Sequence, residues 1–185
     1  MHSKNALKME TTGINLTAQD NFNNGLAKQN LQDYKGAISD YSKAIEIDPL
    51  YADAYYNRGN AYYELFSYSK AIADFTKTIK INPKFAQAYS KRGLAKFNLQ
   101  NLTGAIKDYN TAIEINPTFD DAYYFRGNAN FDIPDYEGAM ADYTRAIEIN
   151  PTYAGAYNNR GKLKIQLGQK TSGALDIKKA KELGF

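Results

Sequence analysis

Residues 52–85 read ADAYYNRGNAYYELFSYSKAIADFTKTIKINPKF, and this stretch decides the architecture. Apolar residues recur three and four positions apart over Ala52–Leu65 and again over Ser69–Ile81. That spacing places them on one face of a helix, so two amphipathic helices are predicted. Phe66, Ser67 and Tyr68 form the turn between them. Pro83 ends the second helix, because it has no N–H to continue the ladder and pushes Asn82 out of the helical region. Gly59 sits inside the first helix, where it costs about 1 kcal/mol relative to Ala. A glycine there implies close helix–helix approach, with the small Ala71 of the second helix expected to meet it.

The same register recurs along the chain. Pro49, Pro83, Pro117 and Pro151 are 34 residues apart, as are Gly25, Gly59, Gly93, Gly127 and Gly161. Ala37, Ala71, Ala105 and Ala139 follow this beat, with Gly173 in the fifth place, and so do Tyr41, Phe75, Tyr109, Tyr143 and Ile177. A period in this range marks a repeat architecture. The units are 18–51, 52–85, 86–119, 120–153 and 154–185, one repeat domain over 18–185 behind a polar lead, 1–17, expected to fray or to form a short cap. A two-helix unit cannot bury its apolar face alone, so neighbouring units must stack into an all-α solenoid. A slower period lies on top. Units 1 and 3 share GLAK-x-NLQ (Gly25–Gln32 and Gly93–Gln100), and units 2 and 4 share AYY-x-RGNA, so the array reads as a doubled two-repeat block.

Composition narrows the function. The 185 residues include no Cys and one His, which removes cysteine-based metal sites and thiolate nucleophiles and leaves His-dependent acid–base chemistry without its residues. A net charge of +3, evenly scattered, does not announce a nucleic-acid binder. The lead holds no apolar run able to serve as a signal peptide or membrane span, so cytoplasmic residence without membrane contact is the expectation. No phosphate loop, nucleophile elbow or metal motif occurs, and neither a cofactor nor catalysis is expected.

The period, the glycine with Tyr or Phe three or four positions on, the small residue opening the second helix, the aromatic four later and the closing proline resemble the tetratricopeptide repeat family. The resemblance covers 18–185. It implies a right-handed α-solenoid of antiparallel helix pairs, a superhelix whose first helices line the concave surface and whose second helices form the convex one. The family's early Trp, Leu or Tyr is supplied by Tyr55, Tyr89, Tyr123 and Tyr157, whereas unit 1 has Asn21, which predicts a looser first helix. Gln100 and Pro134 stand where a turn glycine is common in the family.

One recurrence departs from that pattern. Arg58, Arg92, Arg126 and Arg160 occupy a position usually apolar in the family, and each lies 16 residues before an aspartate: Asp74, Asp108, Asp142 and Asp176, with Asp40 in unit 1. Two readings are open. The arginines form either a positive stripe for anions or a structural ion-pair ladder, in which each pairs with an aspartate of its own or the preceding repeat. Matching numbers of the two charges favour the ladder.

Carrying the concave layout over residue by residue gives candidate partner-binding positions. Unit 2 offers Asp53, Tyr56, Asn57, Asn60, Tyr63 and Glu64; unit 3 offers Lys91, Leu94, Phe97 and Asn98. Unit 4 offers Asp121, Tyr124, Phe125, Asn128, Phe131 and Asp132; unit 5 offers Asn158, Asn159 and Lys162. Asn amides can donate to and accept from a peptide backbone, while Tyr and Phe supply rigid contact area. Four acids against two lysines leave the groove at −2 in a chain of +3, which points to a neutral or basic partner.

A branch of the family grips acidic chaperone tails with a carboxylate clamp of Lys, Asn, Asn, Lys and Arg. Started at unit 1, its five places here hold Phe22, Leu26, Asn57, Gln87 and Lys91, so the clamp is absent. The expected function is therefore a non-catalytic protein–protein interaction scaffold that takes a peptide segment or partner helix in its groove. The alternative is a structural module in which copies stack through their terminal repeats.

Overall fold

The computed structural model describes residues 16–185, and those residues form ten α-helices and no strand. Apart from Leu16 and Thr17, the polar lead lies outside the described residues. The helices are α1 (Ala18–Asn30), α2 (Tyr34–Ile47), α3 (Ala52–Glu64), α4 (Tyr68–Ile81), α5 (Ala86–Asn98), α6 (Leu102–Ile115), α7 (Asp120–Asp132), α8 (Tyr136–Ile149), α9 (Ala154–Gln166) and α10 (Lys170–Glu182). Each odd helix packs antiparallel on the next, and each pair stacks on its neighbour. The result is a right-handed solenoid with no central core. Instead, small clusters recur along it, such as Ala71, Phe75 and Ala95, which join unit 2 to unit 3.

The boundaries follow from local chemistry. Thr17 caps α1 reciprocally with Asp20: its hydroxyl accepts from the Asp20 N–H at 3.1 Å, and the Asp20 carboxylate accepts from the Thr17 N–H at 2.9 Å. Asp33, Asn101 and Asp135 cap α2, α6 and α8 through the N–H groups of Gly36, Gly104 and Gly138. At the ends of the second helices, Asp48, Asn82, Asn116 and Asn150 each accept from the N–H two residues on, across the proline, at 2.9–3.1 Å. This Asx turn explains why Asp or Asn precedes each of the four prolines that close a repeat. Asn21 does not loosen α1: it is buried, and its amide donates to the Thr17 carbonyl at 2.9 Å.

The glycine is met by a different partner from the one anticipated. A Cβ on Gly59 would lie 2.8 Å from Phe75 Cε1, and the same ring position closes on Gly25, Gly93 and Gly127 through Tyr41, Tyr109 and Tyr143. The aromatic ring, not Ala71, needs the space, because a flat ring laid across the first helix reaches its backbone only where no Cβ intervenes. Unit 5 lacks the ring, and there Gly161 does meet the small Gly173, whose carbonyl is 2.8 Å from a Gly161 Cβ.

The turn inside each pair contains one residue with left-handed backbone: Gln32 (φ 59°), Phe66 (56°), Gln100 (61°), Pro134 (30°) and Gly168 (85°). Only glycine adopts this conformation freely. Pro134 is the most strained, since its ring favours φ near about −65° and it has no N–H to donate back. The other four each donate to the carbonyl three residues earlier, at 2.8–3.0 Å.

Two stability changes are expected. Gly59→Ala gains helix propensity but drives a methyl into a fully buried ring, so urea denaturation should show a net loss of about 1–3 kcal/mol. Pro134→Gly removes the strained turn and should raise stability by about 1–3 kcal/mol in the same assay.

Candidate functional site: the concave groove and the ladder behind it

The four arginines stand between helices. Arg58 on α3 donates from Nε and Nη2 to both oxygens of Asp74 on α4, each at 2.8 Å. Arg92 does the same to Asp108, Arg126 to Asp142 and Arg160 to Asp176, at 2.6–2.9 Å. The carboxylate therefore comes from the arginine's own repeat. The preceding repeat supplies a neutral acceptor for Nη1: Ser42, Thr76, Asn110 and Thr144 respectively, at 2.7–3.3 Å. Each guanidinium also lies 5.5 Å from the ring centroid of Tyr55, Tyr89, Tyr123 or Tyr157. One planar fork thus touches three helices and an aromatic face.

The concave side is built by the odd helices. Two adjoining cavities open there. One, of about 240 Å³, is lined by Tyr63, Leu94, Phe97, Asn98, Tyr109, Tyr124, Phe125 and Asn128. The other, of about 340 Å³, is lined by Phe97, Asn128, Phe131, Asp132, Tyr143, Asn159 and Lys162. Phe97 and Asn128 belong to both walls, so the two form one trough, walled by residues of repeats 2 to 5.

The remaining candidates stand apart from this trough. Asp53 and Glu64 are exposed, and Asn60 and Lys91 are half-buried. Asn57 donates to the Asp53 carbonyl of its own helix. Tyr56 stacks on Phe85, the residue that precedes α5, at 4.9 Å, as Tyr124 packs on Tyr153 before α9 at 4.8 Å. Asp121 accepts from the Tyr153 hydroxyl at 2.6 Å; for its counterpart Asp53 the place equivalent to Tyr153 holds Phe85, which has no hydroxyl. The acids matched in units 2 and 4 are thus engaged differently. Asn158 is buried and donates to Asn159, the residue that reaches the cavity.

The helix pairs, their period and their stacking can now be set beside known proteins. A family model described as TPR repeat matches residues 25–65, 95–133 and 135–168, and one described as Tetratricopeptide repeat matches 52–85. The chain belongs to the tetratricopeptide repeat family. Among solved structures it is similar to MamA, at 28% identity and a TM-score of 0.78 over 86% of this chain and 93% of that one. A structure of YrrB, titled a TPR protein with an unusual peptide-binding site, shares 22% identity with a TM-score of 0.72 over 90% of this chain and 86% of that one. The first TPR of Spaghetti bound to HSP90 peptide SRMEEVD shares 31% identity with a TM-score of 0.62, over 63% of this chain and 93% of that one. Comparison with curated proteins gives no match.

Within this tetratricopeptide array the buried aspartates differ in their second partner. Lys28, Lys96 and Lys164 add a cation to Asp40, Asp108 and Asp176 at 2.6–2.8 Å. In unit 4 the same place holds Asn130, whose neutral amide donates to Asp142 at 3.0 Å. Burial favours the neutral form of Asp176, but Arg160 and Lys164 together outweigh it and hold its carboxyl below the ordinary 3.8. Burial dominates at Asp142, and Arg126 with a neutral amide leaves that carboxyl above 3.8. Sequence reasoning passed over these lysines and over Tyr109 and Tyr143, buried rings that both form part of the trough. The lysines recur 68 residues apart, a signal present in the chain.

The two signs have opposite consequences for stability. A depressed folded pKa stabilises above 3.8 and is lost as pH falls through the lower folded value; a raised one weighs against folding at neutral pH, a cost that vanishes in acid. Asn130→Lys should therefore convert Asp142 to the Asp176 type. We expect a gain of roughly 1 kcal/mol in urea denaturation at pH 7, absent when the measurement is repeated at pH 3. An equal gain at both would separate the effect from Asp142 ionisation.

Proposed function

We propose that the chain is a non-catalytic adaptor whose concave trough holds an extended segment or helix of a neutral-to-basic protein partner. The observation that carries the reading is the continuous trough walled by repeats 2 to 5, where aromatic rings alternate with Asn amides. Rings give contact area with little side-chain entropy to lose, and amides satisfy a backbone in either orientation. Asp132 at the trough, and Asp53, Glu64 and Asp121 along the same face, outnumber Lys91 and Lys162. That balance supports a partner with neutral or basic side chains and weighs against nucleic acid.

The acidic peptide in the Spaghetti structure calls for the opposite lining. Here the clamp places hold Phe22, Leu26 and Gln87, with Asn57 the one match and Lys91 a loose stand-in, which weighs against acidic tails as the ligand of this groove. Among the described residues no helix is long and apolar enough to cross a membrane, and no group of His, Cys, Asp and Glu is set to hold a metal ion. A second reading, stacking of copies end to end, rests on Leu175 and Phe185, which are 62% and 63% exposed on the last helix pair. Sedimentation separates the two, since a monomer at all concentrations removes the second.

Random linear peptides displayed on phage and selected on the full chain should be enriched in Lys and Arg over the unselected library. The double variant Asp53→Lys, Asp132→Lys should bind those peptides about tenfold more weakly and with a flatter salt dependence. Absence of enrichment would remove the charge reading, and an acidic selection would reverse it.

A further inference from the structure

The ring that lies over each glycine carries a hydroxyl in three repeats, and each must find a partner at the inner edge of the first helix. Tyr41 donates to Gln29 Oε1 and Tyr143 to Asn128 Oδ1, both at 2.9 Å. Gln29 is the twelfth residue of its repeat and Asn128 the ninth. In repeat 3 those places hold Phe97 and Leu94, which have no acceptor to offer. The Tyr109 hydroxyl is accordingly buried without a hydrogen-bond partner. Burial also pushes its ionisation well above the ordinary tyrosine value, so it is a donor at any working pH.

This orphan lies in the wall of the 240 Å³ cavity. The surrounding seam is unlike the others. Tyr51, the residue that precedes α3, bonds Gln19 of α1; Asn98 bonds Tyr63 between α5 and α3, and Asn159 bonds Asn128 between α9 and α7. Among the described residues no side-chain hydrogen bond joins α5 to α7, where Leu94, Phe97 and Phe125 face each other instead. An apolar gap with one unsatisfied donor in its wall has the chemistry of a half-made contact.

We propose that this gap is a specificity subsite for an extended polypeptide segment, which lodges an aliphatic side chain among Leu94, Phe97 and Phe125 and accepts the Tyr109 hydroxyl proton on an adjacent main-chain carbonyl. The inference rests on the groove function proposed above and adds the residue class and the atom that read it. An extended strand offers a carbonyl beside every side chain, which matches one donor next to one apolar recess. The segment continues over Phe97 and Asn128 toward Asp132, where its basic residue is accommodated.

The test uses peptides selected by phage display on the full chain, made synthetically and measured by fluorescence anisotropy. Tyr109→Phe is expected to fold, because repeat 2 already carries Phe75 at the same place, and to melt a few degrees higher (about 2–5 °C) once the unsatisfied hydroxyl is gone. It should nevertheless bind the selected peptides about five- to tenfold more weakly. Replacing the amide beside the peptide's aliphatic residue by an ester, whose carbonyl is a weaker acceptor, should weaken binding to the native chain and leave the Tyr109→Phe affinity unchanged. Equal binding by both chains, or an ester effect of the same size in both, overturns the inference. Peptides that bind equally to Tyr109→Phe but are lost on Tyr124→Ala would leave the groove function standing and remove only this subsite. Peptides indifferent to both would remove the groove function as well.

Discussion

The arginine fork between three helices is the interaction on which the regularity of this array depends. A helix pair of this size has too little apolar surface to stand alone, so its stability comes from the neighbour. The guanidinium joins the two levels in one group: both carboxylate oxygens lie on the partner helix and the third donor reaches back into the preceding repeat. Its net contribution need not be large, because burying two charges offsets much of their attraction. What it imposes is register. A shift of either helix by one residue would leave a buried carboxylate facing nothing, at a cost of several kcal/mol.

The fold was legible in the chain because its strongest signals are steric. Proline can only stand where a helix stops, and glycine inside a helix has to be there for a neighbour, so the 34-residue beat of both residues gave helix boundaries to within a residue. What was not legible was which neighbour the glycine serves. Ala71 and Phe75 lie four residues apart on one face of α4, and the spacing alone cannot say which of them crosses Gly59. The ring does, because it is long enough to bridge the gap that the small residue leaves.

The groove was harder to read for a related reason. Projecting each first helix onto one face treats the five repeats as equivalent, whereas the trough depends on pairs of positions in different repeats. Tyr153 reaches Asp121 while Phe85 cannot reach Asp53 in the same way, so two acids at matching places differ in freedom. Tyr109 and Tyr143 share a register position, and only the residues at the ninth and twelfth places decide whether their hydroxyls are satisfied. Likewise Lys164 and Asn130 are equivalent by count, and the carboxylates they meet are shifted in opposite directions. These are relations between residues, and a reading that proceeds position by position passes over them.

The floor of the groove is at the same time the joint between repeats. Asn98 with Tyr63 and Asn159 with Asn128 hold one first helix against the next, and Tyr51 with Gln19 holds the entry of α3 against α1, using the donors and acceptors that a bound segment would want. Any partner lying along the array must share or displace them, except at the seam between α5 and α7, where the described residues form no such bond. A segment that displaced these bonds would free the first helices to tilt against one another, so occupancy of the groove would be coupled to its curvature. The hydrogen bonds on the inner surface would then act as the stops that set the pitch of the empty solenoid.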